Sequence, residues 1–69
     1  MIKAKSGAIQ MARASKGWTQ QKLAESSGMH RATVRLIENG SRGTHSVSAK
    51  KISDALGCKV EELFEFVDK

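Results

Sequence analysis

The side chains best equipped for chemistry gather in one stretch, His30, Arg31, Thr33, Arg35 and Asn39, with Thr19 and Gln20 ahead of it and Arg42 behind. Guanidinium, amide and hydroxyl groups at this density are hydrogen-bond donors that suit phosphate oxygens and the edges of flat heterocycles. Bond-making chemistry needs other company. The sequence has no phosphate-cradling glycine loop, no paired carboxylates on one predicted face and no Ser/His/Asp or Cys/His cluster, so an enzyme is not expected. The single cysteine, Cys58, and the two histidines, His30 and His45, lack ligand spacing, so neither a metal nor another cofactor is implied. Cys58 reads as a small buried apolar residue, and its lack of an intrachain partner fits a reducing compartment.

Charge narrows the partner. The 69 residues carry a net charge of +5, but ten Lys and Arg stand against two acids from Met1 to Lys51, and two against five from Ile52 to Lys69. A basic body with an acidic tail end suggests a polyanion partner, because neutralising phosphates releases condensed counterions; solvated lysines on a helical surface are the plainer reading of the same count. No apolar run approaches a membrane span, and Met1-Ile2-Lys3-Ala4-Lys5 lacks the apolar stretch of a secretory signal, so a cytoplasmic protein without a membrane partner is expected. A chain of this length buries only about 60% of its unfolded surface, which allows one domain over residues 1–69 and one core.

The elements that must position these groups are punctuated by glycines at 7, 17, 28, 40, 43 and 57. A first helix is predicted over roughly Ile2 to Lys16, with Ile2, Ile9 and Ala12 at helical spacing and Gly17 as its left-handed cap. A second starts at Thr19, a good N-cap, and stops before Gly28; Lys22 replaces the Glu or Gln of a full capping box. A third, from Met29 or His30 to Asn39, places Val34 and Ile37 inward. Gly40 to Thr44 is a loop. A fourth, about Ser46 to Leu56, buries Val47 or Ser48 with Ile52, Ala55 and Leu56, and a short fifth runs from Val60 to about Phe66. Nothing reads convincingly as a strand, although Glu65-Phe66-Val67 can extend and pair across a dimer.

The second and third helices are too short to persist alone, so Leu23 and Ala24 must lean on Val34 and Ile37 across a sharp turn at Gly28. That crossing frees the outer face of the third helix, where the helical wheel puts Ala32, Leu36 and Asn39. A DNA major groove is just wide enough to accept such a helix.

The run Gly17-Trp18-Thr19-Gln20-Gln21-Lys22-Leu23-Ala24-Glu25-Ser26-Ser27-Gly28, followed by Ala32-Thr33-Val34-Arg35-Leu36-Ile37-Glu38-Asn39-Gly40, resembles the helix-turn-helix of lambda-type repressors, Cro proteins and xenobiotic-response-element (XRE) regulators. The resemblance extends more loosely to Arg13, Ala55-Leu56-Gly57 and Val60-Glu61-Glu62-Leu63-Phe64. It implies an all-α, compact five-helix lambda-repressor-like domain with its core at about 9–64. It assigns phosphate contact to Gln20, which also braces the reading helix, and to Asn39; Thr19, and Arg42 in the loop that follows the reading helix, are further expected phosphate contacts. Base edges fall to Arg31, Ala32 and Leu36, flanked by His30, Thr33 and Arg35. Ala32 and Leu36 depart from the amide or guanidinium groups of many relatives; apolar groups touch a thymine methyl, whereas Arg31 can bond a guanine, or Arg31 and Arg35 meet phosphate only. The resemblance pairs Arg13 with Glu38 as a partly buried ion pair. Trp18 reads as a core cover, and Lys50, Lys51 and His45 as phosphate contacts or solvated side chains.

The function implied is a sequence-specific transcriptional regulator, a repressor by preference, reading a double-stranded operator. The alternative is the antitoxin of a toxin-antitoxin pair, whose extra partner-binding segment is not expected in a chain that ends soon after Phe66. No effector domain is evident, so no small-molecule partner is expected. Two-fold operators ask for a homodimer, with Phe66, Val67 and the fourth helix as the contact.

Overall fold

Apolar positions at helical spacing, broken by glycines, build the computed structural model, which describes residues 1–67. The order is β1 (Ile2–Ala4), α1 (Ala8–Lys16), α2 (Gln20–Ser27), α3 (Arg31–Glu38), α4 (Ser46–Leu56), α5 (Val60–Leu63) and β2 (Phe64–Phe66). The fold is all-α in substance, five helices around one core with a minor two-stranded sheet. Ile9, Leu23, Val34, Ala49 and Ile52 are wholly buried, and Ile37, Leu56, Leu63 and Phe64 nearly so. α2 packs on both α3 and α4, and its Leu23 is wholly buried in the core they share.

Gly28 makes the turn between α2 and α3. Its φ of +72° is a conformation that costs a residue with a Cβ atom about 1–2 kcal/mol, and it lets the Met29 N–H reach back 2.9 Å to the Ala24 carbonyl. Ser27, buried beside it, donates to the Leu23 carbonyl at 2.8 Å and so satisfies its hydroxyl within the helix.

The ends of the chain differ from the sequence reading. The first helix begins at Ala8, not near Ile2, because Gly7 enters the left-handed region at φ +74° and breaks the run. Ile2–Ala4 is instead a strand paired antiparallel with β2, in the register Ile2 with Phe66, Lys3 with Glu65 and Ala4 with Phe64. The extended segment 64–66 therefore finds its partner within the chain rather than across a dimer. It also shortens the fifth helix, which ends at Leu63. On its other side β1 holds the loop after α3: the Thr44 N–H donates to the Ile2 carbonyl at 2.8 Å.

In α4 the inward face carries Ala49, Ile52, Ser53 and Leu56, at spacings of three and four residues. Val47 lies out of phase with that stripe and is 65% exposed, while Ser48 and Ala55 are half-buried. Among the described residues no helix is long and apolar enough to cross a membrane.

Candidate nucleic-acid interface

α3 turns one face inward and the other to solvent. Val34 and Ile37 are buried against α2 and the core, while Arg31, Ala32, Arg35 and Leu36 are exposed. Arg31, Ala32, Arg35, Leu36 and Asn39 line a single shallow concavity along the outer side. Leu36 is 39% exposed there, a large apolar side chain in a concavity that Arg31 and Arg35 also line. Of the other residues expected at base edges, His30 is exposed at the N-cap with its side chain free of any cap bond, and Thr33 is half-buried.

A second concavity adjoins the first. Thr19, Gln20 and Gln21 from the start of α2 line it together with Arg13, Trp18 and Arg31, so Arg31 borders both hollows. The Thr19 hydroxyl accepts the Lys22 N–H at 3.1 Å and fixes the first turn of α2. Nearby helix N–H groups have no partner within the helix and form an anion-binding end. No acid occupies the first turn of α2 or of α3, which leaves both positive helix ends uncompensated. Arg42 and Asn39 are exposed in and before the loop that follows α3. Lys50 is engaged with Asp54 at 3.1 Å on the solvent side of α4, whereas Lys51 is exposed.

Behind this surface Glu38 acts as a fastening point. Its carboxylate accepts Nε and Nη2 of Arg13 at 2.6 and 3.1 Å and Nε2 of Gln20 at 3.0 Å. Arg13 gives its remaining Nη1 to the Trp18 carbonyl at 3.1 Å. α1, the α1–α2 connection, α2 and the C-terminal end of α3 are thus tied through one buried carboxylate. Gln20 braces α3, and its amide keeps one N–H for another acceptor. Sequence reasoning missed Gln10, whose Nε2 donates to the Glu38 backbone carbonyl at 3.3 Å; its one visible cue is that it lies a turn before Arg13. Trp18 packs half-buried against the core, with the ammonium groups of Lys16 and Lys22 at 5.2 and 5.8 Å from its ring centroid. Among the described residues no cluster of three or more His, Cys, Asp or Glu side chains can hold a metal.

Two short helices locked across a glycine turn, the second with a basic outer face between helix N-termini, make a helix-turn-helix DNA-binding domain. The family model described as Helix-turn-helix matches residues 9–63, and the chain belongs to that family of XRE/Cro-type DNA-binding transcription regulators. It is similar to an uncharacterised helix-turn-helix-type transcriptional regulator of Bacillus subtilis, YqaF, at 38% identity over 80% of this chain and 72% of that one. It is also similar to the competence pilus inhibition repressor of Acinetobacter baylyi, at 32% identity over 83% of this chain, and spans about half (52%) of that protein's length. Among solved structures it resembles the restriction-modification controller protein C.AhdI of Aeromonas hydrophila, with a TM-score of 0.77 and 32% identity over 81% of this chain and 85% of that one. The clp gene regulator ClgR of C. glutamicum superposes with a TM-score of 0.73 and 30% identity, over 81% of this chain and 73% of that one.

Proposed function

We propose that the chain is the DNA-reading helix-turn-helix domain of a cytoplasmic transcriptional repressor that acts as a homodimer on a two-fold operator. The observation that carries this reading is the outer face of α3, where Arg31, Ala32, Arg35 and Leu36 stand exposed on one side and Val34 and Ile37 lock the other. Thr19, Gln20, Asn39 and Arg42 hold the flanking phosphates and fix the depth of entry. Arg31, Ala32 and Leu36 read base edges, with His30, Thr33 and Arg35 beside them. A guanidinium at Arg31 matches guanine O6 and N7, and the apolar pair behind it matches the methyl group of thymine.

Selection of DNA from a random pool, followed by binding of the best site across a salt series, tests the reading. A specific site should be bound about a thousandfold or more above random DNA. Arg31→Ala should relax preference at one base position of each half-site while leaving the rest of the selected sequence intact. Enrichment of no sequence, or binding that salt does not weaken, refutes it.

A further inference from the structure

Along β1 the backbone hydrogen bonds alternate between the two sides of the strand. Towards β2, the Met1 carbonyl accepts the Val67 N–H and the Lys5 N–H donates to the Leu63 carbonyl, both at 2.8 Å. Ile2, between them, turns its carbonyl the other way, accepts the Thr44 N–H at 2.8 Å and forms an antiparallel bridge with that residue. β1 is therefore flanked on both sides, by β2 and by the chain that leaves α3. Gly43 marks how closely that chain approaches. It is not one of the glycines with positive φ, so no turn demands it. Of the six glycines it alone has other atoms within 4 Å of where a Cβ would stand: the Met1 sulfur at 2.9 Å and the Ile2 carbonyl oxygen at 3.5 Å.

The loop between α3 and Thr44 has little slack. At one end the Gly40 N–H is bonded to the Ile37 carbonyl at 3.1 Å, and at the other Thr44 is bonded to Ile2. Only Ser41, Arg42 and Gly43 span the gap, and Ser41 and Arg42 are exposed. β1 also borders the end of α3, where Ala4 lines one polar hollow with Asn39 and Gly40. We propose that β1 is a positioning strand for DNA binding: through the Thr44 N–H, the Ile2 carbonyl holds the loop so that Arg42 meets a backbone phosphate at a fixed place relative to the reading helix. This rests on the reading of Arg42 as a phosphate contact given above. A guanidinium on a pinned loop loses less freedom on binding than one on a floating loop, and its fixed offset from α3 selects which phosphate it meets.

Thr44→Pro removes the donor and Thr44→Ala keeps it, so the two variants isolate one hydrogen bond. Thr44 precedes the N-cap of α4, so no bond within that helix is lost. In the free protein the backbone order parameter of the Arg42 amide should be about 0.85 in the parent and in Thr44→Ala, and below about 0.6 in Thr44→Pro. On a selected operator, Arg42→Ala should lower the slope of log affinity against log salt by about one in the parent and in Thr44→Ala, and by clearly less in Thr44→Pro. Lost stability alone cannot produce that coupling, because it leaves the number of phosphates met by the folded protein unchanged. An equal loss of slope with and without the Thr44 N–H refutes the positioning role and leaves the phosphate contact standing. An Arg42→Ala slope equal to that of the parent refutes the contact itself, and the role with it. A parent order parameter below about 0.6 at Arg42 overturns the proposal without any variant having to fold.

Discussion

Removing either partner of the Arg13–Glu38 pair should cost most of the stability of this domain, and the two removals should not cost the same. The Glu38 side chain has no exposure at all, while that of Arg13 retains 16%. Breaking a buried pair typically costs about 3–5 kcal/mol, because the survivor is left charged and desolvated. At about 0.05–0.15 kcal/mol per residue, a chain of 69 residues holds only roughly 3–10 kcal/mol in total. With about 4–8 °C of melting temperature per kcal/mol, either alanine variant should melt at least ~12 °C lower. Arg13→Ala should be the worse of the two. It strands a carboxylate that has no path to water and keeps only Gln20, whereas Glu38→Ala leaves a guanidinium that reaches solvent and still holds the Trp18 carbonyl. Urea unfolding followed by circular dichroism, with a common slope for all variants, measures both losses. An apolar double replacement, Arg13→Met with Glu38→Leu, should lose much less than the sum of the single losses. Single losses under about 1 kcal/mol, the range of an exposed pair, would refute the reasoning, as would a strictly additive double variant.

Other expectations concern the surface. Replacing thymine by uracil in a selected operator should weaken binding about fourfold at each methyl that Leu36 or Ala32 covers, from about 0.8 kcal/mol per buried methyl-sized group; Leu36→Ala should remove the uracil effect at its own position. Arg42→Ala should lower the slope of log affinity against log salt by about one and leave base preference unchanged, read from titrations at several salt concentrations. Thr19→Ala should destabilise the domain by about 1 kcal/mol in urea, since the Lys22 N–H loses its cap acceptor.

The middle of the fold was legible because its signals are local. Gly17, Gly28 and Gly57 end α1, α2 and α4 in the left-handed conformation, where the sequence placed the breaks. The outward placing of Ala32, Leu36 and Asn39 followed from Val34 and Ile37 alone, whereas Arg31 and Arg35 came from the resemblance. β1 escaped notice because three residues are too few to show alternation, and because Ile2 lies seven residues before Ile9, a spacing that a helix also explains. Its partner lies 60 to 64 residues along the chain, and nothing local announces it. Val47 was misplaced for a different reason: apolar type suggested burial, but the phase set by Ala49, Ile52 and Leu56 turns it outward and turns Ser53 in. In the candidate site, the bond between Arg13 and Glu38 spans 25 residues and came from family resemblance, not from any pattern of spacing.

The N-terminal strand has a practical corollary for anyone who fuses a reporter to this chain. The Met1 ammonium donates to the Val67 carbonyl at 3.1 Å, and a Cβ at Gly43 would come within 2.9 Å of the Met1 sulfur. A tag joined ahead of Met1 therefore replaces the ammonium that holds Val67, beside the strand that also anchors the loop carrying Arg42. Met11, 69% exposed on the first helix, is a position where a substituted cysteine would carry a fluorophore or spin label away from both ends of that sheet.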